Sequence, residues 1–175
     1  MLTSVSHMGY TLGVGQIRPR LAQKSLSLTL SNTTGSQSVF TLTGTVNILR
    51  LWGEVTTAIS SNHTAAHLRL NDQAAPVDLV SNLGITLSSL LPGTYFFKEG
   101  TAISSLTLKN NSVGTLEEPA SDGLASFASF MIQKKTGAVT TVDYRYTTTN
   151  TPATGVILFS ALWLPISNDG NLVAA

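Results

Sequence analysis

A chain of 175 residues suits one domain with a real core, and a formal net charge of +1 projects no field that would capture nucleic acid. Charged residues make up 11%, less than half the ~25% of ordinary soluble domains. Serine and threonine supply about a quarter of the chain, so its polar surface is built from hydroxyls rather than ions. Cysteine is absent, which excludes a disulfide framework and thiolate catalysis.

Residues 1–24 read as an N-terminal arm ahead of a domain spanning 25–175. Gly9, Gly13 and Gly15 loosen the backbone there, and Arg18-Pro19-Arg20 interrupts regular structure. Arg18, Arg20 and Lys24 form a small cationic cluster, expected to order against a neighbouring subunit. The start lacks the basic-then-apolar pattern of a secretory signal, and no uncharged apolar run approaches the ~18 residues of a membrane span. The expectation is synthesis in a cytoplasm, without a membrane partner.

Clean alternation begins at Ser25–Ser31, where Leu26, Leu28 and Leu30 face one way and hydroxyls the other. A turn over Asn32–Ser36 leads to a strand around Val39–Thr43. Then comes Thr45–Ile59, TVNILRLWGEVTTAI, a long strand whose interior glycine and β-branched run argue against a helix. Period two puts Leu49, Leu51, Gly53 and Val55 on one face, and Val46, Ile48, Arg50, Trp52 and Glu54 on the other. A bend or bulge is expected at Gly53.

Ser60–Ala66 reads as a loop and His67–Leu70 as a short strand. Between Pro76 and Leu91 the leucines recur at three- and four-residue intervals, which allows one short helix. Tyr95–Phe97 and Ile103–Leu108 read as strands, and Asn110–Asp122 as the longest loop. Phe127–Gln133 is a strand joined by a Lys134–Gly137 hairpin to Val139–Thr148, where Val142, Tyr144 and Tyr146 share a face. The last strand, Thr154–Pro165, is the expected partner of Thr45–Ile59. Both of its rows are apolar, so either another layer or another subunit covers each side. Short strands with Gly/Asn/Ser turns spell an all-β fold, a sandwich or a barrel, and the expectation is an antiparallel β-sandwich.

No catalytic constellation emerges. His63 and His67 are four apart but lack an acidic or cysteine third ligand nearby, so they read as ordinary solvated histidines. Glu117, Glu118 and Asp122 fit neither a calcium loop nor paired catalytic carboxylates. There is no Gly-x-Ser-x-Gly elbow or phosphate loop, and no cofactor is implied. Trp52, between Arg50 and Glu54, and Trp163 are the informative aromatics, readable as core or as anchors between subunits. With Arg18, Arg20 and Lys24 they make up the candidate subunit interface.

The run Thr43-Gly44-Thr45-Val46, followed by Leu51–Ile59, resembles small structural proteins of tailed-bacteriophage particles. Val142-Asp143-Tyr144-Arg145-Tyr146 and the final apolar strand look like closing strands of the same type. The resemblance spans roughly residues 38–166 and lies in texture and strand order. It implies a jelly-roll-like decoration (cement) protein without catalytic residues, a homo-oligomer of trimeric order. Such a protein sits on the virion surface and clamps the major capsid protein. The alternative is a tail or head-fibre component that binds a host-surface glycan.

Overall fold

A computed structural model of the chain describes residues 18–28, 34–60, 63–71, 76–80, 86–98, 106–109, 129–148 and 154–175, with the backbone alone at 34 and 106–109. These residues form β1 (Arg20–Ser27), β2 (Thr34–Thr43), β3 (Thr45–Thr57), β4 (His63–Asn71), β5 (Val77–Asp78), β6 (Tyr95–Lys98), β7 (Leu106–Lys109), β8 (Phe130–Gln133), β9 (Thr140–Thr148), β10 (Val156–Pro165) and β11 (Asn171–Ala174). Two antiparallel sheets pack face to face. One runs β1-β10-β3-β6-β7, with β8 also on β3; the other runs β11-β2-β9-β4-β5.

The pairing obeys one rule. β1 lies on β10, β2 on β9, β3 on β6 and β4 on β5, each antiparallel. The first half of the chain is thus one side of a long hairpin, and the second half returns along it. Rolling that ribbon places alternate pairs in opposite sheets, and the β3–β10 and β4–β9 ladders close each sheet. This is the winding of a jelly roll, with β7, β8 and β11 added to it.

Between the sheets lies one core. Val46, Ile48, Leu51 and Val55 of β3 meet Ile157, Phe159, Ala161 and Trp163 of β10, and the other sheet contributes Phe40, Leu42, Leu68, Val142, Tyr144 and Tyr146. β3 buries even positions up to Ile48 and odd positions from Leu51. The register slips at that point, between Leu162 and Trp163 of β10, so Leu49 is the extra residue that reverses the phase. The bulge expected at Gly53 is therefore displaced. Gly53 instead gives room to an aromatic ring. It faces the core opposite Phe96, and a Cβ there would overlap the Phe96 ring.

Three other expectations change. The leucine-rich stretch around residues 76–91 holds no helix among the described residues. Val80, Leu87 and Leu90 instead reach the core from bends and turns. Lys134–Gly137 is no hairpin, because β8 and β9 belong to opposite sheets and the turn carries the chain between them. The arm boundary also moves. Arg20–Lys24 is the first half of β1, with Ala22 in the core and five rungs on β10 from Arg20↔Trp163 to Lys24↔Phe159. Residues 1–17 and the loop expected at Asn110–Asp122 lie outside the described residues.

Removing residues 1–24 therefore takes away half an edge strand and uncovers Trp163. At ~1 kcal/mol per lost hydrogen bond and ~2–4 °C per kcal/mol, the shortened protein should melt about 10 °C lower or fail to fold. A truncation that stops before Arg18 leaves the β1–β10 register intact. Circular dichroism melting of both tests this, and equal midpoints would return residues 20–24 to the arm.

Candidate functional site

Two places concentrate polar or reactive groups, and each is set by a strand's phase. β4 begins with His63 facing the core, and two residues later Ala65 takes a left-handed φ of 51°. The register slips between Thr64 and His67, so His67 emerges on the outer face beside Arg145 while His63 pairs with Thr148 on the inner one. The two histidines cannot share a ligand. Nor are they solvated as expected: His63 is fully buried and His67 is 6% exposed. Among the described residues, no three His, Cys, Asp or Glu side chains lie together in a way that could hold a metal ion.

His63 belongs to an aromatic stack. Its ring lies 4.4 Å from that of Tyr146 and 5.8 Å from that of Tyr144, and its Nε2 is 2.6 Å from the Tyr144 hydroxyl. Tyr144 continues the cluster to Phe159 at 4.9 Å and to Phe96 at 6.4 Å. The His63 Nδ1 has no partner, and neither does the hydroxyl of Thr148. Burial pushes the His63 pKa down to about 4 and holds the Tyr144 phenol well above its ordinary range. Both groups are neutral at pH 7, which is how they are tolerated among hydrocarbon.

The outer face of the β11-β2-β9-β4-β5 sheet has Asp143 at its centre. Its carboxylate is 2% exposed. Oδ1 accepts from Thr141 Oγ1 at 2.6 Å and Ser38 Oγ at 2.9 Å; Oδ2 accepts from Asn71 Nδ2 at 2.8 Å and Ser36 Oγ at 3.2 Å. Four donors occupy the roughly four lone-pair sites of a carboxylate. Asp143 therefore ties β2, β9 and β4 together and has no capacity left for a metal or a substrate proton. Around it stand Arg69, which donates to Ser36 Oγ at 3.3 Å, and His67, whose Nδ1–H donates to the Ala65 carbonyl at 2.8 Å and whose Nε2 lies 3.8 Å from Asp78.

The β10 strip on the outer face of the opposite sheet is apolar. Leu158, Leu162 and Leu164 of β10 lie half-buried there, beside the exposed Leu21 of β1. Ser160 is the polar exception, bonded by Gln23 Nε2 at 3.1 Å. Trp52 stands on this face between Arg50 and Glu54. Partial burial and the Glu54 carboxylate that bonds it raise the Tyr95 pKa.

The candidate interface residues separate accordingly. Trp163 is 2% exposed, inside the core, so its surface is closed to another subunit and that assignment is corrected. Arg20 lies over its ring at 5.3 Å, a cation–π contact within the chain. Lys24 Nζ donates to the Ala175 carbonyl at 2.5 Å, closing the side of the sandwich, and Arg18 is exposed just before β1. The geometry brings together Trp52, Leu158 and Leu162, whereas the basic residues sit at the β1 edge. A cleft of about 350 Å³ at one end of the sandwich is lined by Lys134, Lys135, Ser167 and Asp169 among others, a mixed-charge surface with no buried reactive group aimed into it.

No family model, no curated protein and no solved structure matches the chain.

Two consequences can be measured. Asp143→Ala should cost about 2–4 kcal/mol by leaving up to four donors unpaired, read as a shift in the urea midpoint at unchanged slope; a neutral result would undo its tying role. His63 has a folded pKa below its unfolded one, so the unfolded state binds more protons between them. Its contribution to stability is complete above pH 6.5 and declines as pH falls toward 4, by about 3 kcal/mol in all. His63→Phe should flatten this part of the stability–pH curve, and an unchanged curve would show that His63 is not its source.

Proposed function

We propose that the chain is a non-enzymatic structural protein of a viral particle, a decoration subunit on the outside of a bacteriophage head that reinforces contacts of the major capsid protein. The supporting observation is the contrast between the two outer faces of the sandwich. One is a hydroxyl surface closed around Asp143 and suited to water; the other presents Leu21, Leu158, Leu162, Leu164 and Trp52 with few charges. Such a face is costly to leave in water and stabilises whatever assembly covers it. The jelly-roll winding adds the fold-level analogy that viral shells use this architecture, which raises the prior without assigning a role.

The mechanism needs no reaction. A subunit that binds the assembled shell in preference to free capsid protein shifts the equilibrium toward the shell, by an amount set by its concentration relative to its dissociation constant. The clamp is then made of interface area and copies of the chain itself.

The test is electron cryomicroscopy of virions purified from the source that encodes the chain, with peptide mass spectrometry of the same particles. The expected result is a fixed copy number of sandwich-shaped densities on the head surface. Particles that lack the chain would refute the proposal, and density confined to a tail tip would replace it with the glycan-binding fibre reading.

A further inference from the structure

The apolar outer face of the β1-β10-β3 sheet has an internal symmetry that says what covers it. Register places its residues in rows across the strands. The central row runs Gln23–Ser160–Trp52–Phe97. On one side lies the row Ser25–Leu158–Glu54–Tyr95, and on the other Leu21–Leu162–Arg50. The flanking rows are two residues from the centre along each strand, roughly 7 Å away.

Rotation by 180° about an axis along the central row exchanges the flanking rows. Two copies stacked face to face about that axis put Leu158 of one over Leu162 of the other, Glu54 over Arg50, and Trp52 against its own counterpart. The two charges on these rows then meet their opposites and the β10 leucines meet each other, while Leu21 falls over Ser25. This self-complementarity is what a two-fold interface requires and a cyclic trimer, which joins two different surfaces, does not use.

The area sets the strength. Four strands ~4.8 Å apart and seven residues rising ~3.3 Å each give a projected face of about 450 Å², within which Ser160 and Phe97 are already buried and Leu21 is exposed. Two such faces give at most about 900 Å², below the ~1,000 Å² that a specific interface clears and in the range of weak association. Trp52, flanked along its strand by Arg50, is also of the residue types in which binding energy concentrates.

The geometry points to a second copy of this chain as the occupant of this face, docked about a two-fold axis along the Ser160–Trp52 row with Arg50 and Glu54 paired across it. The inference stands on the register of the sheet and does not depend on the viral reading; in a decoration protein this face would join copies of the chain rather than meet the major capsid protein.

Sedimentation velocity of the purified chain from ~1 to ~200 μM tests it. The weight-average mass should rise toward twice the monomer, with dissociation in the micromolar range. Leu162→Glu should abolish the dimer. Arg50→Glu and Glu54→Arg should each weaken it at least tenfold, by setting like charges opposite one another twice, and the double variant should restore it. Circular dichroism melting accompanies each variant. If Leu162→Glu proves unfolded, the charge-reversal series decides alone, since Arg50 is exposed and Glu54 half-buried. A monomer at every concentration, a trimer, a dimer indifferent to these changes, or a double variant as weak as the singles would each overturn the inference. A monomer that nevertheless decorates virions would overturn it while leaving the proposed function standing.

Discussion

The ladder between β3 and β10 joins residues about a hundred positions apart, and the other packing relations are arranged around it. It sets two strands side by side at the centre of one sheet and turns Val46, Ile48, Leu51 and Val55 inward together with Ile157, Phe159, Ala161 and Trp163. The opposite sheet supplies the lid, with Tyr144 against Phe159 and Phe96. β1 and β6 then have an inner strand to lie on. A pairing of such long range carries a large loop-closure cost before it returns any burial, which places this fold among the slower topologies.

The phase of each strand decides which chemistry reaches which surface. Leu49 in β3, Val39 in β2 and Ala65-Ala66 in β4 mark single slips in register, and each reverses the faces of the residues after it. One slip sends His63 into the aromatic stack and His67 out beside Asp78. Another lets Val39 and Phe40, neighbours in sequence, both be buried. The bulges therefore do more than bend the sheets: they determine that one outer face is a hydroxyl network and the other a leucine surface around Trp52.

The polar groups of the protein are consistent with a structural part. Asp143 has its acceptor sites filled by four side chains from three strands. His63 is held neutral by burial, with the Tyr144 hydroxyl beside it and no exposure to solvent. A polar group fully satisfied by its own chain rigidifies a sheet, and a partly satisfied one such as His63 is a weak point on acidification. On the leucine face, Leu21 is exposed and Leu158, Leu162 and Leu164 are only partly buried among the described residues, which is why binding is expected there.

Local alternation was enough to read the all-β class, most of the strands, the shared face of Val142, Tyr144 and Tyr146, and the pairing of the long early strand with the last one. These are properties of near neighbours: a period of two, a glycine or proline at a turn, two strands too apolar to lie anywhere but the centre. The same alternation misplaced the bulge of β3, made solvated residues of His63 and His67, left Trp163 open as an interface residue and assigned half of β1 to an arm. It gave Asp143 no role. Its donors Ser36 and Ser38 stand more than a hundred positions away, and no local pattern brings them together. Tertiary structure decided these points because a single inserted residue inverts the face of a strand, and only the partner strand, chosen across the whole chain, reveals where the insertion falls.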